Sequence, residues 1–197
     1  MRLNVFFSAF LVVVFLGFLG CCSLHGNGSV VSQERSASDF YGVILDGIGD
    51  VNVYYSENYK VIVTTDNNIQ DIVTIKVDGN NLHIDEKTKR GFHSSKLTID
   101  VYMPELKNIS LKGVGNINII NGKTSDFEIK LSGVGDIDAQ NYEAENVVVT
   151  LSGTGDIKTW VTKSLTGKLS GVGNVLYNGN PSINNVNNTG VGNVNTL

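Results

Sequence analysis

The heptapeptide Leu131-Ser132-Gly133-Val134-Gly135-Asp136-Ile137 recurs with small changes along the second half of the chain. Its Gly-x-Gly-Asx centre occurs six times, and the last five copies are separated by 20, 20, 18 and 19 residues. The glycines of the six copies are Gly47, Gly49, Gly113, Gly115, Gly133, Gly135, Gly153, Gly155, Gly171, Gly173, Gly190 and Gly192. They account for 12 of the 22 glycines in 197 residues. Because a fixed period of about 20 residues is typical of repeat architectures, these glycines indicate an ordered stack, not a flexible chain.

Apolar and polar residues alternate on both sides of each Gly-x-Gly corner. Five copies carry a leucine two residues before the first glycine: Leu45, Leu111, Leu131, Leu151 and Leu169. The residue after the Asn or Asp is always β-branched and apolar: Val51, Ile117, Ile137, Ile157, Val175 and Val194. Alternation with a period of two and one apolar face is typical of a half-buried strand. Each repeat is therefore predicted to be a strand, a glycine corner, a short strand and a polar turn.

These repeats predict an all-β fold. We expect a right-handed single-stranded β-helix, a solenoid-like stack of about 20-residue Gly-x-Gly-Asx repeats, with an N-terminal β-sheet portion. Residues 111–197 would form the repeats, and residues 39–110 the sheet that initiates and caps them. Asp78-Gly79-Asn80-Asn81 lies between two apolar runs and predicts a hairpin, whereas the polar run 86–95 predicts a loop. The Asn-rich residues 178–197 predict a terminal cap.

The N-terminus has the pattern of an export signal. Arg2 is followed by an apolar run from Val5 to Leu19, which is too short for a typical membrane-spanning helix. Residues 1–20 are therefore predicted to be a signal peptide. Phe18-Leu19-Gly20-Cys21 resembles a bacterial lipobox, which makes Cys21 the predicted lipidation site and the membrane a predicted partner. An uncleaved anchor and an ordinary signal peptide cut elsewhere remain alternatives.

The expected location is the bacterial cell envelope. Cys22 follows the lipidation site in place of the Asp that retains some lipoproteins at the inner membrane, which favours the outer membrane. Residues 21–38 are rich in Ser, Gly and Asn and predict a flexible, lipid-anchored tether. The domain itself would then span residues 39–197.

Composition excludes several functional classes. The net charge of −4 argues against nucleic acid as a partner, because phosphate neutralisation needs clustered Lys and Arg. The two cysteines are adjacent, so they offer neither a disulfide framework nor a zinc cluster. The Gly-x-Gly motifs precede strands instead of helices, which excludes the dinucleotide-binding motif.

Few residues suggest catalysis. Of the three histidines, His25 lies in the predicted tether, His83 in a strand where we expect it to face solvent, and His93 in a loop. No repeated acid or base partner is evident, so neither an enzyme nor a cofactor is expected. The carboxylate pairs Asp136 and Asp138, and Glu143 and Glu145, would each share one strand face, which keeps a polysaccharide-active enzyme open as the alternative.

Two further features have a functional and a structural interpretation. Asp136 and Asp156 would stack on adjacent coils, where they could hold a hard cation through oxygen ligands or remain solvated and hydrogen-bonded. Trp160 and Tyr177, at the ends of neighbouring strands, could form a stacking patch for sugar or cap the core.

The chain resembles the bacterial GIN domain family of auto-transporter adhesin head domains over residues 39–197. The resemblance rests on Phe40, on the repeated Leu-Ser-Gly-Val-Gly-Asp-Ile motif and on Val101-Tyr102-Met103-Pro104. It implies a secreted or lipid-anchored β-solenoid that acts as a non-catalytic surface or periplasmic binding or adhesion module. The implied ligand is a glycan or an envelope protein, and a purely structural envelope protein is a further alternative. The open ends of such a stack also make a homo-oligomer plausible.

Overall fold

The computed structural model describes residues 24–87 and 92–197, so the predicted signal peptide and Cys21 lie outside the described residues. These residues form seventeen strands and no α-helix, and hence no helix with the length and apolarity to cross a membrane. The strands are β1 (Leu24–His25), β2 (Val30–Arg35), β3 (Gly42–Leu45), β4 (Asp50–Tyr55), β5 (Lys60–Asp66), β6 (Val73–Asp78), β7 (Asn81–Glu86), β8 (Phe92–His93), β9 (Leu97–Met103), β10 (Asn108–Leu111), β11 (Ile117–Ile119), β12 (Gly122–Leu131), β13 (Ile137–Leu151), β14 (Ile157–Leu169), β15 (Val175–Asn178), β16 (Ile183–Asn188) and β17 (Val194–Thr196). The predicted all-β class is therefore confirmed.

Successive copies of the repeat pair in parallel and in register. Before the corner, the order of neighbouring strands is β7, β3, β10, β12, β13, β14 and β16. After the corner, it is β9, β4, β11, β13, β14, β15 and β17. The long strands β13 and β14 take part in both ladders, so they join the two faces of the sheet.

The core is built from residues that occupy the same position in successive copies. Leu111 aligns with Leu45 on one side and Leu131 on the other, and both rows of apolar residues that flank the corner continue in this way. Fully buried members are Leu45, Leu111, Leu131, Leu151, Leu169, Val51, Ile117, Ile137, Ile157 and Val175. Each such side chain contributes roughly 1.5–3 kcal/mol when it leaves water. The last coil does not continue these buried rows, because Val194 is only half-buried and Asn188, at the position of the leucines, is exposed.

The early copy of the motif at Gly47 pairs directly with the copy at Gly113. The Val114 amide donates to the Gly47 carbonyl, and the Gly49 amide donates to the Val114 carbonyl. The predicted hairpin in the intervening segment is also confirmed, since β6 and β7 pair antiparallel around Gly79 and Asn80, which both have positive φ. The intervening segment thus extends the stack on both faces.

Two predictions about local structure are wrong. The tether predicted for residues 21–38 contains Val30–Arg35, which pairs antiparallel with β5 along its whole length. Val-Val-Ser-Gln-Glu-Arg does not alternate between apolar and polar residues, so its sequence carries no period-two signal of a strand. The predicted loop at 86–95 contains the short strand Phe92–His93, which pairs with Leu24–His25.

The sheet nearly closes on itself. In its strand order the two terminal strands are β2, which pairs only with β5, and β6, which pairs only with β7. Arg35 of β2 and Val73–Lys76 of β6 nevertheless line the same pocket. The free edges of β2 and β6 therefore face each other across a seam at the N-terminal end of the stack.

Candidate binding face

The Gly-x-Gly corners form one continuous edge of the molecule. The central residues Ile48, Val114, Val134, Thr154, Val172 and Val191 pair as single parallel bridges from one copy to the next. A Cβ on Gly113 would overlap the Gly47 carbonyl oxygen, and a Cβ on Gly135 would overlap that of Gly115. Gly135 also has a φ of 128°, which L side chains rarely adopt. Both glycines are thus needed because the neighbouring coil passes too close for a side chain.

The Asn or Asp that follows each corner forms a hydrogen-bonded row, which we call the Asx row. Its members are Asp50, Asn116, Asp136, Asp156, Asn174 and Asn193. Asp136 Oδ1 accepts the Asp156 amide at 2.7 Å, and Asp156 Oδ1 accepts the Asn174 amide at 2.7 Å. The same bond recurs at 3.0–3.1 Å between the other neighbours. Each side chain thus has one oxygen that caps the next coil.

Asp136 and Asp156, predicted to stack on adjacent coils, each make a hydrogen bond to the next coil. One oxygen of each carboxylate is already occupied by a backbone amide, as in a hydrogen-bonded Asx. Within residues 24–87 and 92–197, no group of three or more His, Cys, Asp or Glu side chains is placed to hold a metal ion. The second oxygen of each carboxylate has no hydrogen-bond partner among the described residues and remains available to a ligand.

A second polar row lies two residues further along the same strands. Its members, in spatial order, are Asp100, Asn52, Asn118, Asp138 and Lys158. Asn52 Nδ2 donates to Asp100 Oδ1 at 2.9 Å, and Asn118 Nδ2 donates to Asn52 Oδ1 at 3.2 Å. Asn118 Oδ1 accepts no hydrogen bond from the described residues. The side-chain amides of Asn52 and Asn118 are thus oriented by their neighbours, and Asn118 Oδ1 is left as an acceptor for a ligand.

The Asx row and the second row enclose an open groove of about 400 Å³. Asp50, Asn116 and Asp136 line one side, and Asn52, Asn118, Asp138 and Lys158 line the other. Lys158 Nζ lies 3.7 Å from Asp138 Oδ2, so one cation partly balances the carboxylates. A groove of this composition offers hydrogen-bond donors and acceptors along its whole length.

Aromatic and apolar side chains border the groove. Tyr54 and Tyr102 stack with ring centroids 4.8 Å apart and planes within 13° of parallel. Burial, and then the Asp100 carboxylate and Tyr102, raise the pKa of Tyr54, so its hydroxyl stays protonated at neutral pH. Ile120 on β11 is 41% exposed, and Trp160 on β14 is 37% exposed opposite Glu143. We call these side chains and the two polar rows together the polar face.

The predicted pair of Trp160 and Tyr177 does not form a patch. Trp160 faces solvent, whereas Tyr177 pairs with the buried Thr159 and packs against the core. Their positions along the strands differ by one residue, and a shift of one residue moves a side chain to the opposite face. The aromatic partners that sequence reasoning missed are Tyr54 and Tyr102, because β4 and β9 lie outside the regular repeats and their register is not visible in the sequence.

The three histidines, which were the candidate catalytic bases in the sequence, lie outside the polar face. His83 lies on the outer side of β7 with its Nδ1 3.3 Å from Asp46 Oδ2, and Lys112 Nζ is 3.4 Å from Asp46 Oδ1. His25 and His93 contact each other with ring centroids 5.2 Å apart. The polar face contains none of these three histidines.

Stacked parallel strands in a sheet that nearly closes on itself define the general class, an all-β domain with one long hydrogen-bonding face. Residues 39–121 and 110–181 match the family described as "Putative auto-transporter adhesin, head GIN domain". The chain belongs to this family, as its motifs predicted. The family is of adhesin type, which indicates a non-catalytic binding module at the cell surface or in the envelope.

Solved structures share the fold. A putative adhesin from Bacteroides fragilis is 22% identical with a TM-score of 0.61, over 89% of this chain and 100% of that one. A putative lipid-binding protein from Parabacteroides distasonis is 19% identical with a TM-score of 0.50, over 89% and 99% of the two chains. At these identities the likeness extends to the fold alone. Among curated protein sequences none matches this chain.

Proposed function

We propose that this protein is a lipid-anchored envelope protein whose polar face binds a glycan without catalysing a reaction on it. The observation that carries the proposal is the pair of hydrogen-bonded polar rows, with the stacked Tyr54 and Tyr102 next to the second row. Hydroxyl-rich ligands are recognised by fixed donors and acceptors next to aromatic or apolar side chains. The polar face supplies both over several neighbouring strands.

The arrangement favours binding because it is preorganised. Each Asx side chain is held by the next coil, as in the bond from the Asp156 amide to Asp136 Oδ1. A ligand therefore meets oxygens whose rotamers are already fixed, which lowers the entropy lost on binding. The same residue type recurs on adjacent strands about 4.8 Å apart, so a ligand with a regular repeat could make similar contacts along the groove.

A glycan suits this face better than a protein partner. The centres of protein interfaces are depleted in charged residues, whereas this groove is lined by Asp50, Asp136, Asp138 and Lys158. A peptide strand would need a free sheet edge, but β4, β11 and β13 each have neighbours on both sides. Binding without catalysis is supported by the Asp136 carboxylate, one oxygen of which caps a backbone amide and so has a structural role.

We further propose that the parallel ladders wind as a right-handed β-solenoid, with residues 111–197 as its repeats and residues 39–110 as its initiating sheet. Parallel strands joined by crossover connections in one sheet are almost always right-handed. The parallel pairing of β13 with β14 in both ladders, with register shifts between Ala139 and Glu143 and between Ala144 and Asn146, supports such a coil.

We place the anchor at Cys21, with the chain exported to the cell envelope and held at the outer membrane. The basis is the resemblance of residues 18–21 to a lipobox, together with the adhesin-type family. Strand β1 begins at Leu24, so only two residues would separate an acylated Cys21 from the folded part of the chain. The polar face would then be presented close to the membrane.

The experiment that tests this function is a glycan array probed with the full chain in neutral detergent. We expect retention on a restricted set of neutral or weakly acidic glycans. If the protein is retained on none of them, and also captures no polysaccharide from an envelope extract, the glycan proposal is wrong.

A further inference from the structure

A second pocket lies in the seam where the free edges of β2 and β6 face each other, and we call it the seam pocket. It has a volume of about 330 Å³. Arg35 of β2, Lys76 of β6 and Lys87 after β7 line it, together with Gln70 and Asp71 of the loop that follows β5. It is separate from the polar face, and no residue lines both.

Arg35 is held in a fixed position in this pocket. Its Nη2 donates to the carbonyl oxygen and to Oε1 of Gln70, both at 3.0 Å. Gln70 is only 1% exposed, and its own Nε2 donates to the Val31 and Val63 carbonyls at 2.8 and 3.0 Å. The guanidinium group is therefore positioned by a buried side chain that is itself anchored to two strands.

One donor of Arg35 is left without a partner. Its Nε is buried and makes no hydrogen bond within the described residues. Buried donors are almost always paired, and leaving one unpaired costs on the order of 1–3 kcal/mol. The guanidinium therefore presents its charge to the pocket that Arg35 lines, with no acceptor from the described residues at Nε.

The charges in the seam pocket are also unbalanced. Among the described residues, no carboxylate lies within 4 Å of Arg35, Lys76 or Lys87, although six other lysines have such a partner. Asp71 is the one carboxylate that lines the pocket. The pocket therefore combines three unpaired cations with one carboxylate, in a chain whose net charge is −4.

We propose that the seam pocket binds an oxyanion, a phosphate or carboxylate group, through Arg35, Lys76 and Lys87. The guanidinium charge, held in place by Gln70, attracts such groups, and the two lysines add point charges. This proposal does not depend on glycan binding at the polar face.

Two sources offer this chemistry, a free anion and an anionic lipid headgroup. The loop that supplies Gln70 and Asp71 also holds the N-terminal residues, since Asn68 Nδ2 donates to the His25 carbonyl at 2.8 Å. The seam pocket thus lies at the end of the molecule where the described chain begins, which is the end nearest to any anchor at Cys21.

The test uses the full chain in neutral detergent and measures binding of inorganic phosphate by isothermal titration calorimetry against chloride at matched ionic strength. We expect saturable binding that weakens about tenfold in Arg35→Gln and in Lys76→Gln, the loss of one charged hydrogen bond. Lys168→Gln, which removes an exposed cation on another part of the sheet, is the matched control and should bind as the wild type does. Lys76 is exposed, so its variant remains informative if Arg35→Gln fails to fold.

A second arm distinguishes the source of the anion. The same variants are incorporated into nanodiscs of phosphatidylcholine with or without phosphatidic acid, and protection of residues 69–76 from hydrogen exchange is compared. Protection that requires both phosphatidic acid and Arg35 assigns a lipid headgroup. Saturable phosphate binding without any such lipid-dependent protection assigns a soluble anion. If phosphate does not saturate and protection is also the same in both lipids, or if the Arg35 and Lys76 variants match Lys168→Gln, the proposal is overturned.

Discussion

At the scale of single residues, the second glycine of each corner is constrained by two independent effects. Gly135 has a φ of 128°, and the Gly115 carbonyl oxygen occupies the space of a Cβ. Gly28 also has a positive φ, 77°, but nothing lies within 4 Å of where its Cβ would be. Substitutions at Gly28 and Gly135 can therefore be compared: a side chain at Gly28 meets only the positive φ, whereas one at Gly135 also overlaps the neighbouring coil.

We predict that Gly135→Ala lowers the free energy of unfolding by more than about 3 kcal/mol, at the upper end of single substitutions. Gly28→Ala should cost about 1 kcal/mol, because only the backbone conformation is strained. Urea titration followed by circular dichroism measures both. Equal losses in the two variants would show that the neighbouring coil does not enforce the glycine.

Asp66 is the second residue with a decisive local role, because it ties three separate segments together. Its carboxylate accepts hydrogen bonds from the Ser95 amide at 2.6 Å, the Ser94 hydroxyl at 2.8 Å and the Gly28 amide at 2.7 Å. These bonds, led by the Ser95 amide, lower the pKa of Asp66 below its ordinary value in spite of burial. The ionised form is therefore favoured in the folded state.

We predict that part of the stability of the wild type is lost in acid through Asp66. A folded-state pKa below the unfolded value contributes stability that is complete above the unfolded pKa and disappears as the pH falls through the folded pKa. Asp66→Asn should lower the melting temperature at pH 7 and differ less from the wild type near pH 3. Melting curves over this range provide the test, and a constant difference between the two proteins would contradict the assignment.

At the scale of elements, the Asx row connects neighbouring coils outside the strand ladders. Asp136 Oδ1 accepts the Asp156 amide of the next coil at 2.7 Å, beside the parallel bridge between Val134 and Thr154. Side-chain caps of this kind satisfy backbone groups at the corner, where the regular ladder is interrupted.

We predict that Asp136→Ala lowers the free energy of unfolding by about 1–2 kcal/mol, because the Asp156 amide loses its acceptor. Asp136→Asn retains an acceptor oxygen of the same size and should cost clearly less. Chemical denaturation of the two variants measures the difference. If Ala and Asn are equally destabilising, the charge of Asp136 matters and its hydrogen bond does not.

The elements that could be predicted from the sequence are those with a repeat. The spacing of the glycines predicted the corners. The alternation of apolar and polar residues around Leu131 and Ile137 predicted the strands and the side chains that they bury. Val30–Arg35 was missed because a single edge strand has no second copy to reveal it. Tyr54 and Tyr102 meet through the pairing of β4 with β9, which depends on tertiary register and has no local signature.

At the scale of the whole molecule, the seam pocket and the polar face occupy different parts of one sheet. The N-terminal strands β1 and β2 are folded onto β8 and β5, so they form part of the domain. An anchor at Cys21 would therefore hold the folded chain near the bilayer, without the reach of a long flexible tether.

We predict that Cys21→Ala moves the protein from the membrane fraction to the soluble fraction, because removal of the acyl chains removes the anchor. Cys22→Ala is the matched control and should remain in the membrane fraction. Fractionation followed by immunoblotting gives the answer. A Cys21→Ala protein that stays with the membrane would support an uncleaved anchor instead.

The proposed glycan-binding role of the polar face is tested most directly by retention of envelope polysaccharide on the immobilised full chain. The key variant combines Asn118→Ala, Asp138→Ala and Trp160→Ala, and the control combines Lys130→Ala, Thr150→Ala and Lys168→Ala on the outer side of the other ladder. We predict that the first variant retains about tenfold less polysaccharide or still less, since several hydrogen bonds and an apolar contact are lost, while the control matches the wild type. Equal retention by all three proteins, or a loss confined to the control, would contradict glycan binding at the polar face.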